Sequence, residues 1–221
     1  LEFRRVLSDL MTSRDIRLAE ATGGKLHLLN ISTSGSIDLV RRSKQRGVTI
    51  TAGVTATNFA LTDDALRSFD SNYKLNPPLR SSNHVEACIA GLKDGSIDVI
   101  AAGHSPRAVE KKMQELDLAP FGMSSLETTL ALTITRLIEP GHLDWLTALQ
   151  KLTFNPARIL GLSKGTLKIG ADADIAIIDP AARWTVSPAN FRSKSRNTPL
   201  AGQELHGRVM QTIVCGEVRY T

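Results

Sequence analysis

Hydrophobic positions along this chain fall into two periods. Residues 25–31 (KLHLLNI), 48–54 (VTITAGV) and 97–103 (IDVIAAG) read as strands, the last a short, near-continuous apolar run with β-branched residues. Runs of that kind fit strands of a parallel sheet covered on both faces. Between them the period lengthens to that of a helix. A helix over 2–22 stops at Gly23-Gly24, and one over 84–95 carries its own terminal glycine. A third, over 36–46, turns Ile37 and Val40 inward with Leu39 beside them, sets its bases outward and ends at Gly47. The hydroxyls of STSG just before it supply N-caps. Helices are also predicted over 124–138 and 143–161, with loops around Asn58, Phe59 and Asp63-Asp64 and a turn-rich stretch at 73–80.

Strand–helix–strand order is the grammar of a parallel α/β sheet. At Ser163 the pattern changes: SKGTLKIGADADIAIIDP is punctuated by glycine and alternates as short antiparallel strands do. This divides the chain into an α/β part, 1–162, and a small β domain, 163–221. Three strands cannot close a (β/α)8 barrel, and an open sheet this apolar leaves an edge and a face uncovered. The expectation is therefore the C-terminal part of a barrel, completed by another segment or another chain. The opening LEFRRVLSDL, without Met, is read as a processed or truncated product.

Composition narrows the function classes. The net charge is +5, but the basic groups (Arg41, Arg42, Lys44, Arg46; Arg192, Lys194, Arg196) are short, and aromatics are only 5% of residues. A nucleic-acid surface needs a longer basic face with stacking rings, so nucleic acid is not expected as a partner. No run approaches the ~20 apolar residues of a membrane span. Cys88 and Cys215 lack a CxxC spacing and sit in apolar patterns, which predicts two buried free thiols in a reducing cytoplasm.

Several motifs agree in order and spacing: LNPPLR (75–80), LKDGSIDVIAAGHSP (92–106), APFGMSSLET (119–128), NPARILGL (155–162), GTLKIGADADIAIIDP (165–180) and SKSRNTPLAGQELHGRVMQTIVCGEVRY (193–220). Together they resemble the amidohydrolase superfamily, and most narrowly the C-terminal portion of a type I dihydroorotase. The resemblance implies a TIM-type barrel plus a small β-sandwich domain, with the three predicted strands as barrel strands six to eight. It also implies zinc, usually two ions, and an aspartate at the end of strand eight that acts as general base. The metal acidifies bound water and the carboxylate takes its proton.

Compared residue by residue, the chemistry is missing. The family's LHIxHVST stands here as LHLLNIST, which puts Asn30 at a histidine ligand. EVTPHH reads GVTATN, with Gly53, Thr57 and Asn58 at the glutamate and two histidine positions. DHAPH reads GHSPR, so Gly103 replaces the aspartate and Arg107 the second histidine. An amide is a poor substitute for imidazole on zinc. His27 lies three residues from Asn30, on the opposite strand face, and His104 neighbours Gly103 and is assigned a packed or hydrogen-bonded role. Arg107 either binds an anion or extends to solvent, with solvent favoured. Asn76 matches a substrate-contacting asparagine, and Pro120 and Gly122 lie in a segment that borders the ring of the substrate.

The resulting expectation is a dihydroorotase-like pseudoenzyme of pyrimidine biosynthesis with no catalytic residue, metal ligand or cofactor contributed by this chain. Its expected partners are the missing N-terminal barrel half, aspartate transcarbamoylase, and further copies of itself in a homo-oligomer. The alternative is an active, metal-dependent cyclic-amide hydrolase, dihydroorotase or hydantoinase-like, with a divergent site completed by the missing strands. A weaker third reading is an interaction module using the basic face.

Overall fold

The computed structural model describes the backbone from Glu2 to Thr221 and side chains from Arg5 onward. The three predicted strands form one parallel sheet in sequential order: β1 (Leu26–Leu28), β2 (Ile50–Thr55) and β3 (Val99–Ala101). Leu26 pairs with Ile50, and Gly53 with Val99. Helices α1 (Glu2–Thr22), α2 (Ser34–Gln45) and α4 (Ser82–Asp94) pack side by side, α1 on α2 and α2 on α4. Neighbouring strands in chain order with neighbouring helices in chain order are the mark of a singly wound α/β barrel segment, since a doubly wound sheet reverses at a switch point.

The paired strands are shorter than the apolar runs because pairing ends where the chain turns toward the loops. The run 25–31 keeps three paired residues, and 97–103 keeps three before Gly103 turns at φ +64°. Helix α2 starts earlier than predicted, because Thr33 accepts the Ser36 N–H as N-cap. Asp9 of α1 reinforces that cap, accepting from Thr33 Oγ1 at 2.5 Å and Ser36 Oγ at 2.7 Å. Residues 56–60, predicted as loop, form the short helix α3 (Ala56–Ala60).

The predicted helix over 124–138 is shorter and irregular. It begins as α6 (Thr129–Thr133), after the four-residue helix α5 (Val109–Lys112), and continues as a π turn over Ile134–Ile138. The one predicted over 143–161 is two, α7 (Trp145–Leu152) and α8 (Phe154–Ile159), broken at Thr153. Pro156 explains the break: it has no N–H to donate, and its ring crowds the carbonyl four residues earlier.

The C-terminal region forms an antiparallel sheet in the order β4 (Ile175–Thr185), β5 (Glu204–Val214), β6 (Glu217–Tyr220). Its register shifts between Asp179 and Arg183, around Pro180, a residue that cannot donate to the ladder. Val186, Phe191, Leu200 and Leu205 belong to the same hydrophobic cluster as Ile37, Val54, Leu92 and Ile97, so this region shares the core of the parallel sheet.

The two cysteines part ways. Cys88 is fully buried on α4, and burial pushes its thiol up to about 12. Cys215 is exposed, which corrects the expectation of two buried thiols. It sits with Gly216 in the tight β5–β6 hairpin, both at positive φ (50° and 82°), as a two-residue primed turn requires. A thiol-reactive dye is accordingly expected to label one cysteine rapidly in the folded chain and the second only on unfolding. Rapid labelling of both in the folded state contradicts this packing.

Candidate functional site

Where β2 and β3 end, the chain folds around a cleft of about 260 Å³. This is the end of a parallel α/β sheet at which loops converge on a pocket. Thr55 and Thr57 line it from β2 and α3, Gly103 and Ser105 from beyond β3, and Asn76 and Gly122 from two loops, with Arg107 also in its wall. Sequence-predicted positions 57, 76, 103, 107 and 122 are thus brought together. Asn30 and Pro120 are not part of the lining, and Pro120 instead uses its carbonyl to accept from Lys112 Nζ at 3.0 Å.

The floor is a closed polar network. Thr55, Thr57 and Asn58 are all buried. Thr55 Oγ1 donates to Asn58 Oδ1 at 2.6 Å and lies 2.9 Å from Thr57 Oγ1, and Asn58 Nδ2 reaches the Pro78 carbonyl at 3.4 Å. Buried hydroxyls and amides tolerate burial when satisfied in this way. Above it, Gly103 occupies a left-handed conformation, and a Cβ there would lie 2.8 Å from Thr55 Cγ2. At Gly53 a Cβ would meet the Leu29 carbonyl oxygen at 2.6 Å. Glycine at both positions is therefore a packing requirement of this backbone.

The flanking histidines have structural partners. His27 Nδ1 lies 2.7 Å from Thr51 Oγ1, and burial lowers its pKa. His104 Nδ1 accepts the Ser125 and Leu126 N–H groups at 3.1 and 3.2 Å, the hydrogen-bonded role expected of it. Arg107 departs from the expectation of a side chain simply extended to solvent: although exposed, it donates from Nε to the Phe121 carbonyl at 2.7 Å.

Asn197 was not singled out in the sequence, yet it joins the cleft's two walls. Its Oδ1 accepts the Arg107 N–H at 2.9 Å and its Nδ2 donates to the Gly122 carbonyl at 3.0 Å. Ser195 donates to the Arg107 carbonyl beside it. The available signal was its position in SRNTPL, an asparagine two residues ahead of proline, but nothing in the sequence placed that loop against residues ninety positions earlier.

Lys112 is buried, and desolvation together with nearby Lys74 and Arg107 lowers its pKa from 10.5 to about 8, with Asp70 opposing. Below pH 8 it is charged in both folded and unfolded chains, and the burial penalty is fully present. Between about 8 and 10.5 the unfolded chain holds the extra proton, so stability rises with pH through this window. Lys151 on α7 is shifted in the same direction by burial. Comparing unfolding free energies of the wild type and Lys112→Met across pH 7 to 10.5 is expected to show the wild type gaining on the variant as pH rises. A constant difference contradicts the linkage.

Zinc fits this donor set poorly. The positions that would ligate it offer hydroxyl, amide and glycine in place of imidazole and carboxylate. Among the described residues no three His, Cys, Asp or Glu side chains stand together as a metal-holding group.

A parallel, singly wound sheet with a cleft at its C-terminal strand ends is the arrangement of a (β/α)8-barrel segment, and the amidohydrolase family model matches residues 2–219. The chain belongs to that family. Within it, the chain is 52% identical over 210 residues to a dihydroorotase of Pelotomaculum thermopropionicum, covering 95% of this chain and 49% of the relative. It is 49% identical over 212 residues to a putative dihydroorotase of Rhodopirellula baltica, covering 96% and 46% respectively. Among solved structures, the L-hydantoinase (dihydropyrimidinase) of Arthrobacter aurescens superimposes with a TM-score of 0.91 at 26% identity, over 96% of this chain and 48% of that one. The chain thus spans about half the length of the curated relatives it matches. No helix among the described residues is long and apolar enough to cross a membrane.

Proposed function

We propose that this chain supplies strands six to eight and the C-terminal strands of the small β domain of a dihydroorotase-like barrel that no longer hydrolyses its substrate. The N-terminal barrel half comes from the same or a separate chain, and the assembled protein serves as a structural partner of aspartate transcarbamoylase. The observation that carries this reading is Gly103. It stands at the general-base position in a left-handed conformation, with the space for a side chain already filled by Thr55. General-base catalysis is worth about 10²–10⁴-fold in rate, and water without a metal has little tendency to ionise near neutral pH. Losing both functions leaves a scaffold.

The 52% identity to a protein named dihydroorotase favours a second reading, an active cyclic-amide hydrolase whose divergent site is completed by strands outside this chain. That site needs an inward carboxylate or imidazole near Gly103, and the cleft lining contains neither. Size-exclusion chromatography of the intact protein mixed with its transcarbamoylase tests the assembly role. Co-elution is expected, and separate elution at micromolar concentrations contradicts the partnership.

A further inference from the structure

We infer that the groove between α6 and the antiparallel sheet is a second ligand site, separate from the strand-end cleft, which takes a planar aromatic carboxylate. Aromatic side chains hold the ring, and Arg192 and Arg208 hold the carboxylate. The inference is independent of whether the barrel hydrolyses anything.

Shape and lining are the first observation. The groove has a volume of about 460 Å³, larger than the strand-end cleft. Trp184, Phe191 and Tyr220 line it beside Leu126, Leu130 and Val209. In a chain with only 5% aromatic residues, three rings in one groove are a concentration. An apolar, aromatic-lined concavity with a few convergent polar groups is the usual form of a small-molecule site, and such rings favour offset or edge contacts with another ring. Trp184 is fixed in orientation, since its Nε1–H donates to the Gly207 carbonyl at 3.0 Å.

Charge is the second. Arg192 and Arg208 line the groove and are exposed. Neither guanidinium has a hydrogen bond or ion pair among the described residues. Arg192 lies 4.7 Å over the Tyr220 ring, and a guanidinium stacked by its face keeps its N–H edge for an oxyanion. Asp179, paired with Arg208 across β4 and β5, turns its carboxylate to the Ala181 N–H instead. The carboxylate in the lining, Glu127, is already engaged: it accepts the Arg192 and Ser193 N–H groups at 3.1 Å each. Those two bonds fix the backbone from which Arg192 extends. Two cations without counter-ions beside three rings complement an aromatic anion.

Strand register is the third observation, because it separates the groove from the side that a second sheet would cover. Ile175 pairs with Ile213 and Ile213 with Val218, so these share a face with Ile177, two residues along β4. Ile177 and Val218 are 46% and 53% exposed, an apolar face suited to sheet-on-sheet packing. Ala176 pairs with Thr212 and Thr212 with Tyr220, on the opposite face. Thr212 and Tyr220 both line the groove. Its walls thus come from this chain, and a sheet packed on the Ile177 face leaves it open.

The test is isothermal titration calorimetry on the intact protein, N-terminal barrel half included, with naphthoate as probe. Cyclohexanecarboxylate supplies the charge without the aromatic ring, and naphthol the ring without the charge. Saturable binding of naphthoate at about 1 mM or below is expected, with both controls at least about tenfold weaker. Arg208→Ala and Arg192→Ala, at exposed positions, are each expected to weaken it about tenfold through lost charge-assisted hydrogen bonds. Circular dichroism confirms that each variant is folded, and Tyr220→Leu gives an independent weakening. Asn76→Ala, in the strand-end cleft, is expected to leave the affinity unchanged. Absence of saturable naphthoate binding, equal binding of either control, or unchanged affinity in the folded arginine variants overturns the inference. Weakening by Asn76→Ala alone puts the ligand in the other cleft and overturns it equally.

Discussion

Gly103→Asp, which restores the residue that the family resemblance places at the end of this strand, is expected to destabilise the chain by about 2–4 kcal/mol and to rebuild no general base. Two costs add. A left-handed conformation disfavours a side-chain-bearing residue by about 1–2 kcal/mol, with aspartate among the more tolerant. Forcing a Cβ against a packed neighbour typically costs about 1–3 kcal/mol, and here the neighbour is Thr55 Cγ2 at 2.8 Å. The second cost has a specific remedy. Thr55→Ser removes that methyl while keeping the hydroxyl that donates to Asn58. A double-mutant cycle measured by denaturant unfolding is therefore expected to return at least about 1 kcal/mol of coupling. Additive effects of the two substitutions contradict the proposed conflict.

Asp98→Ala is expected to cost about 2–4 kcal/mol, through groups at the other end of the same sheet. Asp98 Oδ2 accepts from Lys44 Nζ at 2.7 Å and from the Ala52 N–H at 2.8 Å, which ties the start of β3 to α2 and β2. Beside it, Lys151 Nζ donates to the Ile97 carbonyl and Asn155 Nδ2 to the Asp98 carbonyl. Removing the carboxylate leaves the Ala52 donor without its acceptor and a partly buried lysine without its counter-ion, holding only the Gly95 carbonyl at 2.8 Å, and orphaned polar groups are expensive. The variant is expected to unfold at lower denaturant with an unchanged slope. A loss below about 0.5 kcal/mol is the size of an ordinary surface substitution and contradicts this role for Asp98.

The contrast between these two sites explains what was legible in the sequence. Strand order, the helices around Ile37, Val40 and Leu92, and the glycine stops follow from periodicity and local caps, which are properties of short segments. Gly103 was legible as the place where an acid is missing, because it ends an apolar run at a known strand position. Its conflict with Thr55 was not, since it depends on how two strand ends approach one another. The break at Thr153 was signalled by Pro156, whereas the exposure of Cys215 depended on hairpin register, which its apolar flanks concealed. Asn197 and the pinned Arg107 show the same limit: three hydrogen bonds across 75 to 90 residues define the cleft wall, and no local pattern announces them.

The most direct test of the central claim is zinc content and dihydroorotate turnover of the intact protein, N-terminal barrel half included, after purification with zinc supplied. A barrel whose strand ends carry Thr57, Asn58 and Gly103 is expected to turn over no dihydroorotate above the uncatalysed rate. Stoichiometric zinc accompanied by robust turnover would contradict it.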